Sequence, residues 1–220
     1  MTDGIAAPAN VHFTDRRGGR QACTRDTPLS SVSTGEDKDM QIRRFVTGRD
    51  AAGNSIFIAE GPAPRAKAFD TIPGHAFAQP WATPPLPALA DRPADPTLGN
   101  ASLVPAPGGT SFLIVTFPPD SVMAAPSFDP AAAAAELGPA LPGLAEAFEP
   151  DAPGMHTTAT IDYGIVLDGE IWLELDNGEQ RQLHATDVVI QHGTRHAWRN
   201  KTGKPATVAF VLIGASRNQA

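Results

Sequence analysis

From residue 157 onward the chain reads as short apolar runs broken by turn dipeptides, Asp-Gly, Asn-Gly, His-Gly and Thr-Gly. That punctuation predicts antiparallel strands joined by tight turns. In "GEIWLELDNGE", Ile171, Leu173 and Leu175 alternate with Trp172, Glu174 and Asp176. A period of two is that of a strand with one buried face, and Asn177-Gly178 suits the positive backbone angles of a hairpin turn. Strands are predicted over 157–167, 170–176, 180–184, 188–191, 196–200 and 206–213. Upstream, "QIRRFVT" and "SIFIAEG" flank the turn-like "GRDAAGN", and "SFLIVTFPP" from Ser111 makes a strand ended by a Pro-Pro pair. These are expected to extend the same sheets.

Proline separates this region from the rest. Of 22 prolines, 19 fall between Pro62 and Pro153, and none lies between Gly154 and Lys204. Proline has no amide donor and a fixed φ, so "QPWATPPLPALADRPADP" is expected to wrap the surface as extended chain outside any sheet. The segment "DPAAAAAELGPALPGLAEAFEP" carries the one helical pattern. Asp129 can cap it, Pro130 can take the first helical position, and Pro139 or Pro142 must interrupt, so two short helices are predicted. Residues 1–39 are polar and without apolar periodicity, which predicts a mobile tail, with Met40 as an alternative start. The expected organisation is a tail over 1–39, N-terminal strands and a proline-rich wrap over 40–110, and a barrel over 111–215 with an insertion at 120–154.

The charge balance narrows the partners. With 17 basic and 24 acidic residues the net charge is -7, which repels phosphate backbones and acidic membrane surfaces. Neither nucleic acid nor membrane is an expected partner, and no apolar run reaches the roughly 20 residues of a spanning helix. The single cysteine, Cys23, permits no internal disulfide. The N-terminal stretch lacks the apolar core of a signal peptide, so a cytoplasmic location is expected. Glycine-rich phosphate loops, Gly-x-Ser-x-Gly, paired CxxC and HExxH are all absent from the sequence. The candidate chemistry is histidine, since His156, His184, His192 and His196 all fall in the predicted sheet region.

Their spacing resembles the cupin superfamily. In "HTTATIDYGIVLDG", His156, Thr158, Asp162 and Gly169 stand at the positions of the first cupin motif, His-x-His, Glu and Gly. Gly193, His196 and Asn200 fit the end of the second motif, while Thr186 stands near its opening glycine and Gln191 replaces its usual proline. The resemblance covers about 111–215. It implies an all-β fold, a double-stranded β-helix or jelly-roll barrel of the compact bacterial type. It also implies a metal site, with His156, Asp162 and His196 as ligands and Thr158 standing where an imidazole is usual. Two histidines and a carboxylate suit iron or zinc, and by ligand type manganese or nickel equally. The alternative reading of the same residues is a hydrogen-bonded interior without metal.

Around this site, Trp198 shares strand parity with His196 and is a candidate pocket wall or core residue. Gln191 and His192 are candidate pocket residues, with a solvated position the simpler expectation for His192. Tyr163 follows Asp162 and should point to the opposite face, packed beneath the barrel. His184 is expected on an exposed strand face, and Arg195 and Arg199 are expected to pair with surface carboxylates. The insertion carries Phe128, Leu141, Leu144 and Phe148, suited to a lid, a packed flap or a dimer contact. The functional expectation is a metal-dependent enzyme, an oxygenase, isomerase or decarboxylase, acting on a small aromatic or keto acid. The alternative is a non-catalytic cupin that binds a small ligand or supports an assembly. A homodimer is expected in either case.

Overall fold

The computed structural model describes residues 42–99 and 101–217; the leader expected over 1–39 lies outside them. Strands β1 (Arg43–Arg49) and β2 (Ser55–Pro62) form a hairpin. They are followed by β3 (Arg65–Ala68), β4 (Ala76–Thr83) and β5 (Thr110–Phe117). After the insertion, which holds α1 (Pro130–Ala140), come β6 (Thr160–Asp168), β7 (Glu170–Glu174), β8 (Gln180–His184) and β9 (Val188–His192). β10 (Ala197–Arg199) and β11 (Ala206–Gly214) complete the chain. A six-stranded sheet runs β3-β4-β5-β11-β6-β9 and a three-stranded sheet runs β10-β7-β8, with antiparallel pairing throughout. The fold is all-β, a jelly-roll double-stranded β-helix with one α-helix.

Alternation sorts each strand into an inner and an outer row. On β6, Thr160, Asp162, Gly164 and Val166 are buried, while Tyr163, Ile165 and Leu167 are exposed. Leu113, Val166, Ile171, Val208, Phe210 and Leu212 meet between the sheets in one core, which Ala133 of α1 and Leu141 join. Burial of these side chains, worth about 1.5–3 kcal/mol for each large one, drives the sheets together.

Turn chemistry fixes the connections. Asn177 and Gly178 have φ of 60° and 72°, as the hairpin requires. Gly169 has φ of 79°, and a Cβ there would lie 2.8 Å from the Pro205 carbonyl oxygen, so a side chain is excluded on two counts. Thr186, near the expected motif glycine, also has a positive φ of 79°. Its amide donates to Val166 O over 2.8 Å, which holds the strained conformation in place. Asn200 is buried and uses its whole amide. Nδ2 donates to Phe117 O at 3.0 Å and Lys204 O at 2.8 Å, while Oδ1 accepts from the Thr202 amide and hydroxyl at 3.0 and 2.7 Å. It thereby ties the end of β5 to the β10–β11 turn.

Three expectations are corrected. Part of the proline-rich segment is a strand, β4, lying between β3 and β5 inside the large sheet. A register shift between Ala78 and Trp81 places Pro80 at an irregularity, where its missing donor breaks no ladder bond. The first hairpin does not extend the other sheets but forms a two-stranded sheet of its own. In the insertion there is one α-helix, capped by Asp129 with bonds from the Ala131 and Ala132 amides, and the second helical segment is a single 3-10 turn at Ala145–Ala147. Pro139 is tolerated because it lies in the last turn of α1.

Replacing Asn200 with alanine removes the four hydrogen bonds of a buried amide that ties Phe117 O to the β10–β11 turn, so the Asn200→Ala protein should lose about 3 kcal/mol in urea unfolding. Thr186→Gly should instead gain about 0.5 kcal/mol, since relief of the positive φ outweighs the glycine entropy. An unchanged midpoint in the first, or a loss in the second, would contradict these roles.

Candidate functional site in the barrel interior

The first histidine precedes β6 and the second precedes β10, and a backbone bridge brings them together. The His156 amide donates to His196 O and the His196 amide to His156 O, both at 3.0 Å. Paired residues of an antiparallel bridge project to one face. The two imidazoles accordingly lie with centroids 4.2 Å apart at 49°. On the far side of His156 the insertion adds another bridge, and the Phe148 ring sits 4.8 Å from the His156 ring. The Trp198 ring stands edge-on to His196 at 6.3 Å and packs on Phe210 at 5.2 Å.

An ion pair holds Phe148 over the histidines. Arg195, adjacent to His196, binds Glu149, adjacent to Phe148, through Nε at 2.7 Å and Nη2 at 2.6 Å. The third guanidinium nitrogen, Nη1, donates to Asp176 at 2.9 Å. Arg195 lowers the Glu149 carboxyl below its usual range, and the two carboxylates raise the Arg195 pKa further. Arg199 pairs with Glu174, so both arginines engage carboxylates as expected.

The histidines are built to be neutral. Burial lowers the pKa of each, to about 4 for His196, where His156 adds a smaller repulsion. His156 Nδ1 lies 3.1 Å from Gly154 O, and a carbonyl only accepts, so Nδ1 carries the proton and Nε2 keeps its lone pair. His196 Nδ1 lies 3.0 Å from Thr194 O and 2.9 Å from the Gln191 amide nitrogen, which also donates to Thr194 O at 2.8 Å. Two tautomers satisfy this arrangement. With Nδ1–H on Thr194 O, Nε2 is a free donor of electrons; with Nδ1 accepting from Gln191, Nε2 is an N–H.

Asp162 lies one cross-strand pair away, directly opposite Gln191 on β9 and Leu212 on β11. It is buried, its Oδ1 has no partner among the described residues, and desolvation raises its pKa to about 6, opposed by the Thr160 hydroxyl. Along the same inner row Ser111 faces Leu212 and accepts from Gln79 Nε2 at 2.8 Å, leaving Gln79 Oε1 unpartnered and buried. Thr158 and Thr160 bond each other at 2.7 Å. The inner face of the sheet thus carries several polar groups, and Asp162 Oδ1 and Gln79 Oε1 have no donor among the described residues.

The structure brings His156, His196 and Gln191 into contact but does not gather the expected ligand trio. Among the described residues no three His, Cys, Asp or Glu side chains form a set that could hold a metal ion. Gln191 stands between Asp162 and His196. Trp198 serves the core while its edge reaches His196. His192 and His184 are exposed and take no part. Tyr163 points away from Asp162 as expected, but it is exposed rather than packed. Phe128, Leu141 and Leu144 join the core, so only Phe148 of the insertion covers the site. Sequence reasoning missed Gln79, Ser111 and Thr160; the available signal was a polar residue sharing parity with buried apolar ones. It also missed His75, which stacks on Phe69 at 4.9 Å and bonds Thr116 O at 2.8 Å.

A double-stranded β-helix in which two histidines of this spacing meet is similar to the arrangement of the cupin superfamily. No family model matches it. A 62-residue segment is 52% identical to phomopsin biosynthesis cluster protein D of Diaporthe leptostromiformis, covering 28% of this chain and 33% of that protein. Another 62-residue match, to the cupin-domain-containing oxidoreductase virC of Hypocrea virens, is 42% identical and covers 27% of this chain and 32% of the relative. The oryzines biosynthesis cluster protein J of Aspergillus oryzae is 48% identical over 48 residues, 22% of this chain and 27% of that one. These matches span about a third of the length of the relatives. Among solved structures, the Cupin_2 domain of an XRE family transcriptional regulator from Enterobacter cloacae aligns over 65% of this chain and 99% of its own, at 15% identity and a TM-score of 0.33. A cupin-2 domain protein from Shewanella frigidimarina covers 46% of this chain and 68% of its own at 14% identity and a TM-score of 0.28.

The buried groups make opposite contributions to stability between pH 4 and 6.5. The raised Asp162 pKa means the folded state holds its proton more tightly, so that stabilisation is present below pH 4 and is lost as pH rises through about 6. The lowered histidine pKa values mean the unfolded state holds protons more tightly, so stability is lost as pH falls from 6.5 through about 4. Asp162→Asn should therefore gain roughly 2 kcal/mol at pH 7 and make stability rise more steeply between pH 4 and 6.5 in urea titrations. A parallel pH profile for the variant would contradict a buried carboxyl with a raised pKa.

Proposed function

We propose that the chain is a small-molecule enzyme of the oxidoreductase class, acting inside the barrel at His156 and His196. The observation that carries this reading is the buried contact of two imidazoles, each with Nδ1 against a backbone carbonyl. The relatives, among them a cupin-domain-containing oxidoreductase and a biosynthesis cluster protein, support the class. The substrate we propose is a small aromatic or keto acid, its flat part against Phe148 and the edge of Trp198. Gln79 Oε1 and Asp162 Oδ1 supply acceptors for its hydroxyl or amide groups.

The cofactor in this proposal is a divalent ion, iron or zinc, with manganese or nickel compatible by ligand type. The donor types suit such an ion, and the reading requires Asp162 to move toward the histidine pair, since the three are not gathered at one point among the described residues. His156 offers Nε2, His196 offers Nε2 in the tautomer bonded to Thr194, and Asp162 offers an unpartnered oxygen as third ligand. Such an ion supplies an electrophilic centre or a redox centre. The chain's own residues do the rest: Phe148 and the Arg195–Glu149 pair screen the histidines from water.

A second reading, a non-catalytic cupin that retains a small ligand, is favoured by Thr158 and by the separation of Asp162 from the histidine pair. Elemental analysis of untagged protein purified without added metal or chelator distinguishes them. The enzyme reading predicts one ion per chain, lost in His196→Ala and kept in His184→Ala, a residue exposed on β8. Equal metal in both variants would contradict the ligand assignment, and metal-free protein after anaerobic iron or zinc loading would favour the second reading.

A further inference from the structure

The outer face of the six-stranded sheet carries apolar cross-strand rows that are covered on the β4–β5 side and open on the β6–β9 side. One cross-strand row runs Ala78, Ile114, Ala209, Ile165, Val188 across β4, β5, β11, β6 and β9. Its exposure climbs along that order, from 0% and 8% and 6% to 37% at Ile165 and 58% at Val188. The next row, Trp81, Phe112, Val211, Tyr163, Ile190, follows the same course. Where the face is covered, the chain's own hairpin contributes, since the Arg44 guanidinium sits 5.4 Å from the Trp81 ring and donates to Pro80 O at 2.9 Å. Nothing described covers Tyr163, Ile165, Leu167, Val188 and Ile190, which expose on the order of 400 Å² of apolar surface, a size that marks interaction sites on monomers. They lie at the open end of the sheet, where β9 pairs with β6 alone.

The hairpin β1–β2 is the second unpartnered surface. Its inner residues, Arg44, Val46, Ile56 and Ile58, are half-buried against the chain, and its outer face exposes Phe45 and Phe57 as an edge-on pair at 6.0 Å. A two-stranded sheet without a further partner is marginal in water. The two surfaces match in chemistry. Arg49 shares the phenylalanine face of the hairpin, where Arg43 is already paired with Glu60, and the apolar face is flanked by exposed Asp168 and Asp187.

We propose that the occupant of the exposed β6–β9 face is a second copy of this chain, with the Phe45/Phe57 face of each hairpin laid on the β6–β9 face of the other. Two-fold symmetry forms this contact twice and leaves neither surface open. Two hairpins on two faces bury on the order of 1,200–1,500 Å², which is what a stable dimer needs. A contact of the β6–β9 face with itself would leave both phenylalanines in water. The pairing is independent of any chemistry assigned to the barrel interior.

Sedimentation velocity at micromolar concentration tests it. The wild-type chain should sediment with twice the mass of one chain. Phe57→Glu and Ile190→Lys should each halve that mass while keeping wild-type circular dichroism and cooperative melting. Mixed in equal amounts, the two variants should recover the dimer, because the glutamate of one hairpin then meets the lysine of the opposite face and the other contact is unaltered. A monomeric wild type would overturn the proposal. A Phe57→Glu protein that stays dimeric would overturn it as well, by placing the interface elsewhere, and so would a folded mixture that remains monomeric.

Discussion

Two backbone hydrogen bonds, exchanged between His156 and His196, hold the candidate site together. They join the chain ahead of β6, a strand of the large sheet, to the chain ahead of β10, a strand of the small one. The bridge therefore fastens the sheets at one end and places two imidazoles on a common face. Phe148 is stacked on this bridge and Arg195–Glu149 clamps it there, so closure of the barrel end and assembly of the site are one event. A change that breaks the bridge should loosen both.

The interior behind the bridge is an energetic compromise. An apolar core would be cheaper than one lined by Gln79, Ser111, Thr158, Thr160, Asp162 and Gln191, because a buried polar group without a partner costs about 1–3 kcal/mol. Most of these groups find partners in one another, and those that do not, Asp162 Oδ1 and Gln79 Oε1, lie on the inner row of the sheet. Burial also keeps the histidines neutral at mild pH and raises the Asp162 pKa to about 6. Each of these two unsatisfied acceptors is a buried cost that a bound donor would relieve.

The sequence disclosed what is local. Asn177-Gly178, Gly169 and Gly193 mark turns by backbone chemistry alone, all with positive φ, and the alternation in 170–176 found β7. The spacing of His156 and His196 pointed to a pair that the bridge realises. What depends on distant neighbours was hidden. Pro80 argues against a strand until a register shift in β4 exempts it. The distance from Asp162 to the histidines is set by Gln191 on another strand, which spacing does not encode. Tyr163 showed its face by parity, but whether that face is covered depends on what lies outside the sheet.

The proposed divalent ion requires His156 and His196 to turn their Nε2 atoms to one point and Asp162 to move to join them. Anomalous diffraction from crystals grown with manganese tests this most directly. The account predicts a single peak within about 2.2 Å of both Nε2 atoms, with Asp162 drawn toward it. A peak elsewhere, or rings that stay in contact with no peak beside them, would contradict it.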